Sequence, residues 1–199
     1  SFGDIAASSF GGMVYYTSPD RSELLEQLQT KSIKEICDAD WKNLTIERLP
    51  EIPDFTLLVG WTGQVAITDS LIQATEKKRK VATDSAFYKE FLKKSHAIVQ
   101  GLQSAWNKQD IPALQAGIRA NRALLNEFAR EMQLEIETPA LQTLCNIAEQ
   151  VGACAKTSGA GGGDCGICFT QNEQQRQQIE TQWAKAQIQV LPLTIAEAW

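Results

Sequence analysis

The chain has 199 residues, 43% of them hydrophobic, with 19 Lys or Arg against 24 Asp or Glu and a formal net charge of -5. That is enough chain for one substantial core, one domain with a piece of another, and the acidic balance argues against a nucleic-acid partner, which would need a basic face. No apolar run approaches membrane-spanning length and no signal-peptide pattern opens the sequence, so no membrane partner is expected and the default location is cytoplasmic.

In chain order, Asp4 to Phe10 reads as a short helix and Gly11 to Thr17, with Val14, Tyr15 and Tyr16, as a strand. Ser18-Pro19-Asp20 is a helix-start signal ahead of Leu24, Leu25 and Leu28, and a second helical stretch from about Ile33 to Ala39 leads to Trp41. Leu44 to Leu49 alternates like a strand, and Pro50 and Pro53 punctuate the turn before a strand over Phe55 to Trp61. These two strands are expected to form a hairpin.

Helix then dominates: Val65 to Lys80, followed by amphipathic segments at about 85–107, 110–132 and 138–152. Leu114, Ile118, Leu125, Phe128 and Met132 fall on one broad face, most simply a core face. Lys77-Lys78-Arg79-Lys80 is better read as a solvated helix end, whose cations complement the helix dipole, than as a dock for phosphate or nucleic acid. Asn121-Arg122 has two readings, an anion contact or an ordinary exposed arginine.

Lys156-Thr157-Ser158-Gly159-Ala160-Gly161-Gly162-Gly163-Asp164-Cys165-Gly166 is the most informative stretch. Glycines tolerate positive φ and carry no Cβ, so successive amides can turn inward around phosphate oxygens, with Lys156 and Ser158 as side-chain donors. A flexible linker is the competing reading, but linkers are serine-rich and repetitive, whereas here Leu141, Leu144, Ile147, Ala148 and Val151 lead in at helical spacing. The expected order is helix, glycine loop, strand. Neither a P-loop nor a dinucleotide fingerprint fits the glycine spacing.

Beyond the loop, a strand near Gly166 to Thr170, a helix from about Glu173 to Lys185 and a final strand near Gln187 to Leu193 complete the chain. Strands interleaved with helix pairs predict an α+β fold, an antiparallel sheet covered on one face. The five cysteines, Cys37, Cys145, Cys154, Cys165 and Cys168, are an odd and scattered set, unlike a disulfide framework. Cys165 and Cys168 have Cys-x-x-Cys spacing, but His96 is the single histidine and no second pair exists, so small buried side chains are favoured over a metal or redox site.

Ser158 to Gly166 resembles the third sequence motif of the GHMP small-molecule kinases, and its Gly-Asp-Cys-Gly ending resembles the phosphomevalonate kinase version. Gly3-Asp4-Ile5-Ala6-Ala7-Ser8, followed by Gly11-Gly12, is similar to the segment where these kinases carry an aspartate on a short helix. Leu58-Val59-Gly60-Trp61-Thr62-Gly63 resembles the strand and turn they place beside substrate, although Gln64-Val65 stands where a serine-proline pair is common. The resemblance runs the length of the chain. The family's Gly-Leu-Gly-Ser-Ser type ATP loop and its N-terminal lysine are not found, and the sequence opens on Ser1-Phe2. A C-terminal part is therefore expected: a truncated form, a proteolytic product or one of two polypeptides.

The resemblance implies a ferredoxin-like C-terminal domain over 19–199, with 1–18 as a remnant of an N-terminal domain like domain 2 of ribosomal protein S5. It implies ATP and Mg²⁺ as cofactors, mevalonate 5-phosphate as substrate and the N-terminal half of the same enzyme as partner. Asp4 matches the family's catalytic aspartate, with a plain helix cap as the alternative. Lys156, Ser158, Gly159, Ala160, Gly161 and Gly162 are assigned to the phosphoryl groups, Thr62 and Gly63 to substrate, and no residue to a resident metal. Asp164 is read as a carboxylate bracing the loop backbone, with magnesium binding as its other reading, since an anion beside phosphates is repulsive. The alternatives in function are a non-catalytic phosphate-binding module and another GHMP kinase, such as mevalonate kinase.

Overall fold

The computed structural model describes residues 2–63, 85–159 and 161–196. The helix expected over Val65 to Lys80, its basic run, Gln64-Val65 and Ala160 lie outside them. The chain divides into two units, Ser1–Glu51 with Ile195–Trp199, and Ile52–Thr194.

The first unit runs α1 (Gly3–Phe10), β1 (Met13–Thr17), α2 (Arg21–Gln27), α3 (Ile33–Cys37) and β2 (Thr45–Leu49). Asp20 starts α2 by accepting from the Ser22 and Glu23 amides, and Ser32 with Glu35 closes a capping box on α3. Antiparallel pairing of β1 with β2, from Met13 opposite Leu49 to Thr17 opposite Thr45, corrects the hairpin expected of residues 44–61. Pro50 and Pro53 supply no N–H to a ladder, and the strand after them joins the other unit's sheet. By contacts the division falls between Glu51 and Ile52, because β2 ties 19–51 to β1.

The second unit runs β3 (Thr56–Trp61), α4 (Ala86–Asn107), α5 (Ile111–Met132), α6 (Pro139–Gln150), β4 (Cys154–Thr157), β5 (Cys165–Thr170), α7 (Glu173–Lys185) and β6 (Gln189–Leu191). Its sheet order is β4-β5-β3-β6, antiparallel throughout. Numbered within the unit, that order is second, third, first, fourth, the split βαβ arrangement of ferredoxin-like domains. Among the described residues, Ser85, Asp110, Thr138 and Asn172 start these helices, each accepting from an amide of the first turn. Leu114, Ile118, Phe128 and Met132 are buried as the helical spacing predicts, while Leu124 takes the buried place expected of Leu125.

β4 is the element the sequence concealed. Cys-Ala-Lys-Thr has little strand propensity, yet Cys154 pairs with Phe169 and Thr157 with Gly166. α5 holds the strand's approach in place: Arg119 Nη2 donates to the Ala153 carbonyl at 2.9 Å and Gln115 Nε2 to the Gly152 carbonyl at 3.2 Å. The glycine loop therefore joins two strands of a hairpin, and the order helix, loop, strand is corrected to helix, strand, loop, strand.

α6 and α7 cover one face of the sheet. Gly60 and Gly166 are directly paired on the central strands, leaving a hollow in that face. A Cβ on Gly60 would lie 2.8 Å from both Leu144 Cδ1 and Trp183 Cζ3, and one on Gly166 would lie 2.7 Å from Leu144 Cδ2. Leu144 and Trp183 are fully buried, and Trp183 Nε1 donates to the Leu144 carbonyl at 3.1 Å, so the indole's polar edge is satisfied. On the opposite face Phe55 and Phe169 stack at 4.9 Å, with Trp106 of α4 meeting both edge-on.

We predict that Gly60→Ala destabilises the fold by about 1–3 kcal/mol through overpacking. Gly101→Ala, in open space on α4, should hold or gain stability, because alanine is the better helix former. Urea titration of both reads the difference; equal midpoints would contradict the hollow's tight filling.

Candidate functional site

The β3–β5 register pairs Trp61 with Cys165, so the chain leaving β3 at Thr62 runs beside Asp164, where β5 begins. Thr62 donates twice to the Asp164 carbonyl, from its amide and its Oγ1, each at 2.9 Å. On the far side of β5, β4 ends at Thr157, and the Ser158 amide donates to the Cys165 carbonyl at 2.9 Å. Thr62, Gly63, Lys156, Ser158 and the glycine loop thus meet at one end of the sheet. Asp4 stands in the other unit.

The loop turns through a run of left-handed residues: Gly159 at φ 62°, Gly161 at 76°, Gly162 at 81°, Gly163 at 130° and Asp164 at 61°. Gly161 is obligatory for a second reason, since a Cβ there would lie 2.6 Å from Ile136 Cγ2 and closer still to the Ile136 carbonyl oxygen. That oxygen accepts the Gly162 amide at 2.8 Å. The Gly162 N–H, expected to face a phosphoryl group, instead braces the loop against the α5–α6 connection. Among the described residues, the Gly159 and Gly161 amides have no acceptor.

Lys156 is half-buried on β4, and its Nζ donates to the Thr157 carbonyl at 2.7 Å. No carboxylate among the described residues pairs with it. Burial lowers its pKa below the ordinary lysine value, with Cys145 opposing. A desolvated ammonium with one neutral acceptor gains more from an arriving anion than a solvated one does.

Two expectations are corrected here. Asp164 braces the loop through its carbonyl, while its carboxylate receives the Cys165 thiol at 3.7 Å. Arg122 does not point at a ligand: Nε and Nη2 grip the Glu137 carboxylate, and Nη2 also reaches Asn146 Oδ1 at 3.1 Å. Helical spacing could not reveal a partner in the α5–α6 connection. Burial pushes the Glu137 carboxyl up, but hydrogen bonds from Arg122 and Asn126 outweigh it and hold the pKa below the usual value.

Asp4 is exposed in the first turn of α1 and is not its cap; that place falls to Phe2, which makes no side-chain cap bond. The described residues give the Asp4 carboxylate no hydrogen-bond partner. An apolar cavity of about 390 Å³ in the same unit, lined by Ile5, Phe10, Leu24, Trp41 and Ile46, is unsuited to an anion.

Residues 102–189 match the family model described as GHMP kinases C terminal. The chain carries a GHMP kinase C-terminal domain. It is 37% identical to phosphomevalonate kinase of Streptomyces sp. (strain CL190) over 198 residues, 98% of this chain and 52% of that relative. The solved Lin0012 protein of Listeria innocua superposes with a TM-score of 0.92 at 32% identity, over 99% of this chain and 55% of its own. Streptococcus pneumoniae phosphomevalonate kinase, in complex with phosphomevalonate and AMPPNP, gives 0.81 at 27% identity, over 96% of this chain and 54% of its own. The chain spans about half the length of those relatives. No helix among the described residues is long and apolar enough to cross a membrane.

The cysteines fit a packing role. Cys145, Cys154 and Cys168 are buried, and burial pushes the Cys145 thiol up to about 12, the Cys154 thiol up to about 11 and the Cys168 thiol further. No group of three metal-binding side chains occurs among the described residues. Iodoacetamide at neutral pH should label exposed Cys37 first and these three only on unfolding, with peptide mass spectrometry as the readout. Rapid labelling of Cys168 in folded protein would contradict the packing.

Proposed function

We propose that this chain is the C-terminal part of a phosphomevalonate kinase, which transfers the γ-phosphoryl group of ATP to the phosphate of mevalonate 5-phosphate. The observation that carries phosphate chemistry is the half-buried Lys156, without a carboxylate partner among the described residues, beside a loop whose Gly159 and Gly161 amides find no acceptor among those residues. The substrate is supported by the Streptomyces relative's name and by the ligands of the pneumococcal enzyme.

A phosphate acceptor is already anionic at neutral pH, so the reaction needs charge neutralisation and in-line positioning more than deprotonation. Lys156, the Ser158 hydroxyl and the Gly159 and Gly161 amides supply fixed donors that need not reorganise as charge moves. Ala160 belongs to the same loop by sequence. Thr62 and Gly63 hold the substrate side of the sheet end, and Gly162 fixes the loop's shape. Asp4 is assigned to the acceptor, with an exposed carboxylate able to take a proton or orient the incoming phosphate.

Mg²⁺ would enter with ATP and neutralise phosphate charge; it takes one or two carboxylates together with phosphate oxygens, and the exposed Asp4 carboxylate fits that demand. The relatives' further length supports an N-terminal half as partner, as do Phe2, Ile5, Phe10, Leu25, Leu28 and Ile33, large apolar side chains left exposed in the first unit. In this reading residues 1–18 belong with an S5-like N-terminal domain, the protein works in the cytoplasm, and this chain by itself does not turn over.

In the protein that carries this chain with its upstream half, Mg²⁺-ATP should drive ADP release with mevalonate 5-phosphate and not with mevalonate. Asp4→Asn should lower kcat by about 100-fold or more. Equal turnover of mevalonate would move the assignment to the sister kinase.

The lowered Lys156 pKa gives a pH dependence of known sign. Affinity for mevalonate 5-phosphate should hold while Lys156 is charged and fall as pH rises through its depressed pKa, earlier than an ordinary lysine near ~10.4 would allow. Lys156→Met should weaken binding about 10-fold or more and flatten this fall; calorimetric titrations across pH check both.

A further inference from the structure

The loop's shape depends on Ile136, and Ile136 is held from three sides. Its side chain packs with Phe128, Ala129 and Met132. The next residue but one, Thr138, caps α6 by accepting the Leu141 amide. Between them Glu137, whose side chain is 5% exposed, takes both oxygens into hydrogen bonds: Arg122 Nη2 on one, Arg122 Nε at 2.9 Å and Asn126 Nδ2 at 2.8 Å on the other. A two-pronged arginine–carboxylate grip fixes direction as well as distance, and Arg122 is carried by α5 with its side chain 17% exposed.

The peptide unit this clamp orients is the one the glycine loop rests on. The Ile136 carbonyl accepts the Gly162 amide, and Gly161 lies against it so closely that no Cβ would fit. A tilt of Glu137 would move that carbonyl, and the loop has no slack at Gly161 to absorb the change. We infer that the Arg122–Glu137 pair, completed by Asn126, is a positioning device for the phosphate loop, acting through the Ile136 carbonyl on Gly161 and Gly162. The inference rests on the reading of that loop as the phosphate site. None of the three side chains touches substrate in this account.

A purely structural ion pair would tie α5 to the α5–α6 connection and change melting alone. The test compares Glu137→Gln, Gly161→Ala and the double variant in the full-length protein, by kcat and KM for both substrates and by thermal melting. Gly161→Ala displaces the loop directly and Glu137→Gln does so at one remove. Each should lower kcat/KM about 10-fold, and the double variant should lose little more than Gly161→Ala alone, because both act on one element. Independent losses that multiply, or a Glu137→Gln that lowers the melting temperature with kcat/KM unchanged, would overturn the inference while leaving the phosphate loop standing. An unchanged kcat/KM for Gly161→Ala would overturn the loop reading and the inference with it. If Glu137→Gln fails to fold, Asn126→Ala removes one hydrogen bond and no charge; a drop of about 3-fold with unchanged melting supports the device, and no drop refutes it.

Discussion

The second unit is organised by the seating of Leu144 and Trp183 in the hollow over Gly60 and Gly166. Two side-chain-free residues must face each other across β3 and β5 for the hollow to exist. A slip of one residue would put Val59 or Ile167 there and turn the strands' buried faces outward. The indole N–H on the Leu144 carbonyl then locks α7 to α6 over the sheet. Register, helix position and core are one constraint.

That constraint sets the site's geometry as well. With Gly60 opposite Gly166, Trp61 must face Cys165, and Thr62 arrives where its amide and hydroxyl both reach the Asp164 carbonyl. β4, pairing on the other side of β5, brings Lys156 and Ser158 to the same end. The loop between them is pinned at both feet and braced in its middle by Ile136. A chain so rich in glycine would lose much entropy on ordering; here three separate contacts hold it, which suits donors that must not move as charge develops.

How much of this was legible in the sequence follows from the range of the interactions. α4, α5, α6 and α7 were readable because their caps, Ser85, Asp110, Thr138 and Asn172, and their apolar spacing are local signals. β4 was not, since Cys154 to Thr157 form a strand through pairing with β5 and not by propensity. The supposed hairpin across Pro50 failed for the converse reason: two good strands stood adjacent, and each had a better partner elsewhere. Within the site, the loop and Lys156 were visible as residue types. That Gly162 bonds Ile136, and that Arg122 serves Glu137, depends on contacts between distant residues that no spacing rule encodes.

A half-buried cation that no carboxylate among the described residues pairs with, beside Gly159 and Gly161 amides that those residues leave without an acceptor, gains from an arriving anion. The most direct test is a crystal structure of the full-length protein with AMPPNP and phosphomevalonate. The account predicts phosphate oxygens within hydrogen-bond reach of Lys156 Nζ and of the Gly159 and Gly161 amides, with the Gly162 amide still on Ile136. Phosphates bound elsewhere, with Lys156 still donating only to the Thr157 carbonyl, would contradict it.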